Sequence, residues 1–177
     1  MKIYITISLL ASIIFISCSK HTEEEAIVTP VKTDLLTMFS SNWELYMYVI
    51  ATDNGYYYFT GSELTNHSLY KLNFDRTGQY DASNTLWSGT YRFLSDSTNF
   101  ILEPTNRNQV DCSLHIDNIS NKKMQISSPW VEVNPEKTGA SNYERFIAYQ
   151  ASTYLSVHQI NIATIKSVKL QLRYAVK

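Results

Sequence analysis

The chain has 177 residues and a formal net charge of -1, with 15 Lys and Arg against 16 Asp and Glu. So small a net charge provides no attraction for a polyanion, which argues against nucleic acid as a partner. Thirteen Tyr, seven Phe and three Trp favour β-strands over long helices.

The N-terminal segment has the pattern of a bacterial lipoprotein signal. Lys2 precedes an uncharged apolar stretch over residues 3–16, which is short for a membrane span, and the small Ser17 precedes Cys18. The pattern resembles a lipobox, although Leu is more usual than Phe15 at its position. The resemblance implies cleavage before Cys18, a lipid on its thiol and a second acyl group on the freed amine. An ordinary cleaved signal peptide and an uncleaved N-terminal anchor are the alternatives.

Residues 18–32 are predicted to form a flexible acidic tether after the signal peptide of residues 1–17. Three consecutive Glu occupy positions 23–25, and a charged run without aromatic residues stays solvated. The run also resembles a short acidic tag by which one group of Gram-negative bacteria exports lipoproteins to the cell surface. We therefore expect a protein anchored by lipid in the outer membrane, and surface exposure stays open. Residues 33–177 would form one domain with a substantial core.

The first predicted elements are a short helix and a hairpin. Thr33 is a suitable helix start, and apolar residues spaced for one buried face follow it up to Phe39. Residues 43–49 alternate, with the apolar Trp, Leu, Met and Val on one face. A tight turn at 53–55 then leads into an aromatic strand at 56–59.

A second hairpin is predicted over residues 69–80. Its turn lies at 75–78, where Gly78 can adopt the left-handed conformation. The alternating pattern continues over residues 87–93, and a turn follows at 95–98.

The rest of the chain is predicted as short strands joined by turns. No long segment keeps a helical period, and residues 151–165 fit neither a helix nor a strand well. The remaining strand segments are 100–102, 110–116, 124–126, 144–149 and 168–176, of which the last alternates most cleanly.

Short sequential strands without long crossovers predict an all-β fold. About eight to ten of them can close into an antiparallel up-and-down barrel, which leaves no exposed edge. The sequence resembles the lipocalin-like domains of bacterial outer-membrane lipoproteins over residues 35–130. The features that carry this resemblance are a short helix before Trp43 and the segments 72–78 (LNFDRTG), 87–91 (WSGTY) and 100–102 (FIL). Lipocalins place Gly where this chain has Ser41, so the resemblance implies the fold and no particular ligand.

Residues for catalysis or metal binding do not form a recognisable pattern. There is no nucleophile elbow, no phosphate-binding glycine loop and no paired metal-ligand spacing among the four His. We expect neither an enzyme nor a metal or other cofactor. Cys112 lies in an alternating segment and is predicted to be a small buried residue, with a reactive thiol as the alternative. If Cys18 is lipidated, Cys112 has no intramolecular disulfide partner.

Aromatic residues are the candidates for ligand binding. They are too numerous for one small core to satisfy every hydroxyl, so several are expected to line a cavity or a surface, where they could bind lipids or stack on sugars. Trp87 and Tyr91 flank Gly89 on one predicted strand face, so a groove could open between them; Tyr70 and Tyr46 are the further candidates. The alternative is that most of these rings only pack.

The tripeptide Asp96-Ser97-Thr98 resembles an acceptor site for O-linked glycans in the same bacterial group. The resemblance makes Ser97 a candidate glycosylation site.

Two functions of different classes fit the sequence. The first is a membrane-anchored, non-enzymatic domain that binds a small apolar or glycan ligand. The second is a structural or accessory subunit of an outer-membrane protein complex. An open apolar cavity with a few polar groups would favour the first function, and a barrel filled by side chains would favour the second.

Overall fold

The computed structural model describes residues 32–134 and 139–177, with side chains from Leu35 onward. The predicted signal peptide, Cys18 and the tether up to residue 31 lie outside these residues. The helices are α1 (Lys32–Phe39) and α2 (Asn142–Val157). The strands are β1 (Asn42–Thr52), β2 (Gly55–Thr60), β3 (Lys71–Phe74), β4 (Gln79–Ala82), β5 (Gly89–Phe93), β6 (Asn99–Pro104), β7 (Cys112–Ile119), β8 (Lys123–Ser127), β9 (Val131–Glu132) and β10 (Ser167–Val176).

Eight of the strands close into an antiparallel barrel in the order β1-β3-β4-β5-β6-β7-β8-β10. The ring is completed by β10, which pairs along β1 from Trp43 opposite Val176 to Thr52 opposite Val168. The first residues of β1 pair with β3, and the later ones form a hairpin with β2. The predicted all-β up-and-down barrel with a short N-terminal helix is confirmed.

The barrel interior is filled mainly by alternate strand residues. In β10 the inward residues Val168, Leu170, Leu172 and Tyr174 are buried, while the residues between them are half-buried on the outer face. This alternation follows from the two-residue period of a strand, which sends successive side chains to opposite faces of the sheet.

A β-bulge in β1 changes which residues face the interior. The pairing of β1 with β10 shifts between Leu45 and Met47, so Tyr46 is an extra residue. Strict alternation placed Met47 and Val49 on the same face as Leu45, and this part of the prediction is wrong. Beyond the bulge Tyr48 occupies an inward position and is fully buried.

Helix α1 seals one end of the barrel. The ring of Phe39 is fully buried, and its centroid lies 4.1 Å from that of Phe74 and 5.1 Å from that of Phe100. The indole Nε1–H of Trp43 donates to the carbonyl oxygen of Phe39 at 2.9 Å, which fixes the end of α1 to the start of β1. The predicted helix ending at Phe39 is confirmed.

Helix α2 corrects the expectation of a strand at 144–149 and of no long helix. It has 16 residues and begins with a capping box, in which the Ser141 hydroxyl accepts from Glu144 N–H and the Glu144 carboxylate accepts from Ser141 N–H. Ile147, Ala151 and Leu155, spaced four residues apart, are fully buried. A helix buries one face at this spacing, and α2 packs against β9 and β10.

The segment around residue 87 also differs from the predicted strand. Trp87 ends a single turn of 3-10 helix, Thr85–Trp87, and β5 begins only at Gly89. A Cβ atom on Gly89 would lie 2.2 Å from the carbonyl oxygen of Glu103, so the neighbouring backbone occupies the space of the expected groove. The predicted turn at 75–78 is confirmed, with Gly78 at a φ of 89°.

Candidate ligand-binding site

A cavity of about 40 Å³ lies between α2 and the barrel wall. Its apolar lining comes from α2, through Phe146 and Ile147, and from strand residues such as Leu114 and Leu172. Polar groups lie at Tyr48, His67, Ser68, Ser128, Tyr143 and Gln150. Among the described residues that line this cavity there is no Asp, Glu, Lys or Arg.

The hydroxyl of Tyr48 is the most unusual polar group of the cavity. Tyr48 is fully buried, and its hydroxyl has no hydrogen-bond partner in the described part of the chain. The hydroxyl of Tyr174, equally buried, donates to the carbonyl oxygen of Leu69 at 2.9 Å. Burial raises the pKa of Tyr48 well above its usual value, so the group stays protonated and can donate. A buried polar group without a partner is costly, so this hydroxyl lowers the stability of the folded chain.

His67 contributes a second hydrogen-bonding group to the same wall. The centroids of the His67 and Tyr48 rings lie 5.0 Å apart. Its Nδ1 accepts the backbone N–H of Leu69 at 3.1 Å, so the proton of the neutral ring is on Nε2. Burial lowers the pKa of His67 to about 4 and keeps the imidazole neutral at neutral pH.

We expect His67 to make the folded state less stable as the pH falls. Its folded pKa of about 4 lies below its usual value of 6.5, so the unfolded chain binds the proton more readily. The stability contributed by His67 is complete above pH 6.5 and is lost between pH 6.5 and about 4. The loss should be about 2 kcal/mol, allowing for the partial exposure of the side chain. Denaturant unfolding of wild type and His67→Asn across this range measures it, and parallel curves would contradict the expectation.

Cys112 also lines the cavity, and its predicted burial is confirmed. Burial and then the neighbouring charge of Asp111 raise the pKa of its thiol to about 12. The thiol therefore stays protonated at neutral pH, where it is a poor nucleophile, and acts as a small apolar wall group.

The size of the cavity limits what it can hold. Forty cubic ångströms is room for about three ordered water molecules, whereas sites for drug-sized ligands measure roughly 300 to 1,000 Å³. Two contacts hold its cover in place: the rings of Trp87 and Phe146 lie 5.1 Å apart, and the Tyr143 hydroxyl donates to the Ser113 carbonyl at 2.8 Å. A larger ligand would require α2 to move away from the barrel.

The four aromatic candidates do not form one site. Trp87 is buried and lines the cavity. Tyr91 lies instead among the rings around Phe39, with its hydroxyl donating to the Asp75 carbonyl oxygen. Tyr70 donates to a carboxylate oxygen of Glu44 at 2.7 Å. Tyr46 is 41 % exposed at the bulge.

Several cavity residues were missed by the sequence reasoning. Tyr48 reaches the interior because of the bulge, and no pattern in the sequence marks His67 as a cavity residue. The residues from α2, such as Phe146 and Gln150, could have been found from their spacing of four residues behind the Ser-x-x-Glu capping signal.

Ser97 lies in the turn between β5 and β6. It has a φ of 60°, and the Asp96 carboxylate accepts the N–H groups of Thr98 and Asn99 around it. Ser97 is half-buried, and its glycosylation stays a prediction.

Comparison with known proteins gives no match: no family model fits the chain, and no curated protein or solved structure is significantly similar to it. Within residues 32–134 and 139–177, no three His, Cys, Asp or Glu lie together as a set of metal ligands. No helix in the same part of the chain has the length and apolar character needed to cross a membrane. The class of protein is thus defined by its own geometry, an eight-stranded antiparallel barrel with a small cavity under a helix.

Proposed function

We propose that this chain is a lipoprotein, attached through Cys18 to the outer membrane, whose lipocalin-like barrel is a non-enzymatic binding domain for a small apolar molecule. The observation on which the binding function depends is the mostly apolar cavity between α2 and the barrel wall. A mostly apolar chamber with a few polar groups is the usual form of a small-molecule site.

The walls of the cavity favour an apolar ligand over a glycan. Leu114, Leu170 and Leu172 face it from the strands, and Phe146 and Ile147 face it from α2. A sugar carries a hydroxyl on most of its carbon atoms, and these walls would leave several of them without partners. The volume of about 40 Å³ is also small for a sugar ring.

A second function, an accessory subunit of an outer-membrane protein complex, is favoured by how much of the barrel its own side chains fill. Large aromatic residues remain exposed on the outside, including Trp130, Tyr149, Tyr56 and Tyr58. Tyr and Trp are common in protein–protein interfaces, where they pack their rings and satisfy one polar atom.

The test uses protein extracted from the membranes of a Gram-negative host grown with labelled palmitate. We expect label on wild type and on Cys112→Ala, and none on Cys18→Ala, because only the thiol of Cys18 follows the signal. Native mass spectrometry of the same preparations should reveal a small bound molecule on wild type. The variant Cys112→Leu, which adds a net two non-hydrogen atoms at the cavity wall, should lose that molecule, whereas Cys112→Ala should retain it.

Each part of the proposal can fail separately. Unlabelled wild-type protein would contradict the lipid anchor. An empty barrel that leaves the membrane with a second protein bound would contradict the ligand and favour the accessory subunit.

A further inference from the structure

We propose that the free edge of strand β2 is an interaction surface, and that its partner is the β2 strand of a second copy of this chain. The two strands would pair antiparallel and make a symmetric dimer. This inference goes beyond the proposed function, because it requires neither a ligand in the cavity nor a lipid on Cys18. It depends on the backbone, the side chains and the charges of β2.

Strand β2 lies at one end of the sheet and has an unpaired edge. Among the described residues it pairs only with β1, in the hairpin that Thr52 and Gly55 close. At the other end of the sheet, β9 has only two residues, and one of them is the exposed Glu132. A short edge strand with a charge is protected against pairing with another chain. Strand β2 has six residues without a charge or a proline, so it lacks this protection.

The hydrogen bonds of the hairpin show which backbone groups lie at this edge. Asp53 N–H donates to the carbonyl oxygen of Ser167, at the start of β10, at 3.4 Å. The bonds of an antiparallel strand alternate between its two neighbours, so the next residue, Thr52, bonds to Gly55 in β2. Every second residue from Gly55 therefore bonds to β1. The N–H and C=O groups between them face the free edge, and they belong to Tyr56 and Tyr58. In the described part of the chain, these groups form no backbone hydrogen bond outside the β1–β2 pair.

The side chains on the outer face of β2 are aromatic and exposed. Tyr56 is 60 % exposed and Tyr58 is 58 % exposed, and their rings stack with centroids 6.4 Å apart. A two-fold axis at Tyr57 would place Tyr56 of one copy opposite Tyr58 of the other. Every N–H and C=O group that these two residues present at the edge would then have a partner. Aromatic side chains directly opposite each other also stabilise antiparallel strands.

Charge favours a second copy as the partner. Strand β2 carries no charged residue, so two copies bring no like charges opposite each other. The charged residues nearest to it in the chain already have partners. The Asp53 carboxylate accepts from Lys166 N–H at 2.9 Å, and Glu63 lies 2.8 Å from His158 Nε2. The net charge of -1 adds little repulsion between two whole chains.

A second copy also offers a strand that is already ordered. An unfolded peptide would lose conformational entropy on becoming extended along this edge, and that loss would offset part of the binding free energy. Strand β2 needs no such ordering, because it is paired with β1 and Phe59 fixes it to the core.

The exposed area predicts a weak dimer. Two Tyr side chains exposed to about 60 % offer roughly 200 to 300 Å² per copy. A stable interface buries about 800 Å² per partner. We therefore expect a dissociation constant in the micromolar to millimolar range.

Charge substitutions on the outer face of β2 test the pairing. One variant combines Tyr56→Lys with Tyr58→Lys, and the other combines Tyr56→Glu with Tyr58→Glu, both in the full chain. Trp130→Lys with Tyr149→Lys is the matched control, because it adds the same charge at two exposed rings outside β2. Sedimentation equilibrium in detergent solution, from micromolar to millimolar protein, measures the dissociation constant of each dimer.

We expect wild type and the control to dimerise alike. Each charged β2 variant should weaken its own dimer at least about tenfold, because like charges would lie opposite each other. An equimolar mixture of the Lys and Glu variants should recover most of the lost affinity, since opposite charges then face each other. Melting temperatures establish that each variant is folded.

Four results would overturn the proposal. The first is wild type that stays monomeric up to millimolar concentration. The second is equal weakening in the control, which would mean that net charge or another face governs association. The third is a mixture that associates no more tightly than either charged variant alone. The fourth is a different protein that co-purifies with wild type and is lost from both charged variants, because the edge would then serve another partner.

Discussion

Gly89→Ala should prevent folding of the barrel or lower its free energy of unfolding by about 3 kcal/mol or more. The added Cβ would lie 2.2 Å from the carbonyl oxygen of Glu103, 2.8 Å from Cα of Pro104 and 2.9 Å from N of Thr105. All three are backbone atoms, so no side-chain rotation can relieve the clash. The end of β6 would have to separate from β5, which would break one of the strand pairs that make up the closed ring.

The matched control for Gly89→Ala is Gly61→Ala. A Cβ on Gly61 meets nothing within 4 Å, and its φ of 73° predicts a cost of only about 1 kcal/mol. Urea unfolding measures the free energy of unfolding of both variants, and so compares the backbone clash in Gly89→Ala with the cost of a positive φ in Gly61→Ala. Equal losses in the two variants would mean that β5 and β6 can separate at little cost.

The sequence predicts the barrel because its strands are half-buried. One face of each strand packs on the interior, so the two-residue period is visible, most clearly in β10. Turn chemistry predicts the β3–β4 connection equally well, since the Asp75 carboxylate accepts from Thr77 N–H and Gln79 N–H and Gly78 supplies a positive φ.

Helix α2 was missed because its buried face is only weakly apolar. Two of its four buried residues are Ala, whose small side chain contributes little to a hydrophobic pattern. The exposed Tyr149 and Val157 add apolar character to the wrong face. The sequence signal for the helix was its start, where Ser141 and Glu144 form the capping box.

The candidate site could not be predicted from the sequence for a different reason. A bulge of one residue in β1 exchanges the inner and outer faces of that strand, and Tyr48 thereby becomes a cavity residue. His67 lies in the segment between β2 and β3, where the sequence has no periodic pattern. It comes together with residues of the strands and of α2 only when the barrel has closed. The chemistry of the cavity is therefore a property of the tertiary structure.

Tyr91→Ala should cost about 3 to 5 kcal/mol of stability, as large aromatic truncations in a core do. Tyr91 is 6 % exposed, and its ring centroid lies 5.1 Å from that of Phe74 and 5.4 Å from that of Phe39. Removing the ring leaves a void where α1 seals the barrel, and the surrounding rings cannot all move to fill it. Denaturant unfolding followed by fluorescence measures the loss.

Tyr91→Phe is the control that separates the ring from its hydroxyl. It keeps the packing around Phe39 and removes only the bond to the Asp75 carbonyl oxygen, so it should cost about 1 kcal/mol. Because Tyr91 does not line the cavity under α2, folded Tyr91→Phe should retain the small bound molecule that native mass spectrometry is expected to show on wild type. A loss below about 1 kcal/mol in Tyr91→Ala would place the ring beside open space instead. Loss of the bound molecule from Tyr91→Phe would mean that the packing around Phe39 is coupled to the cavity.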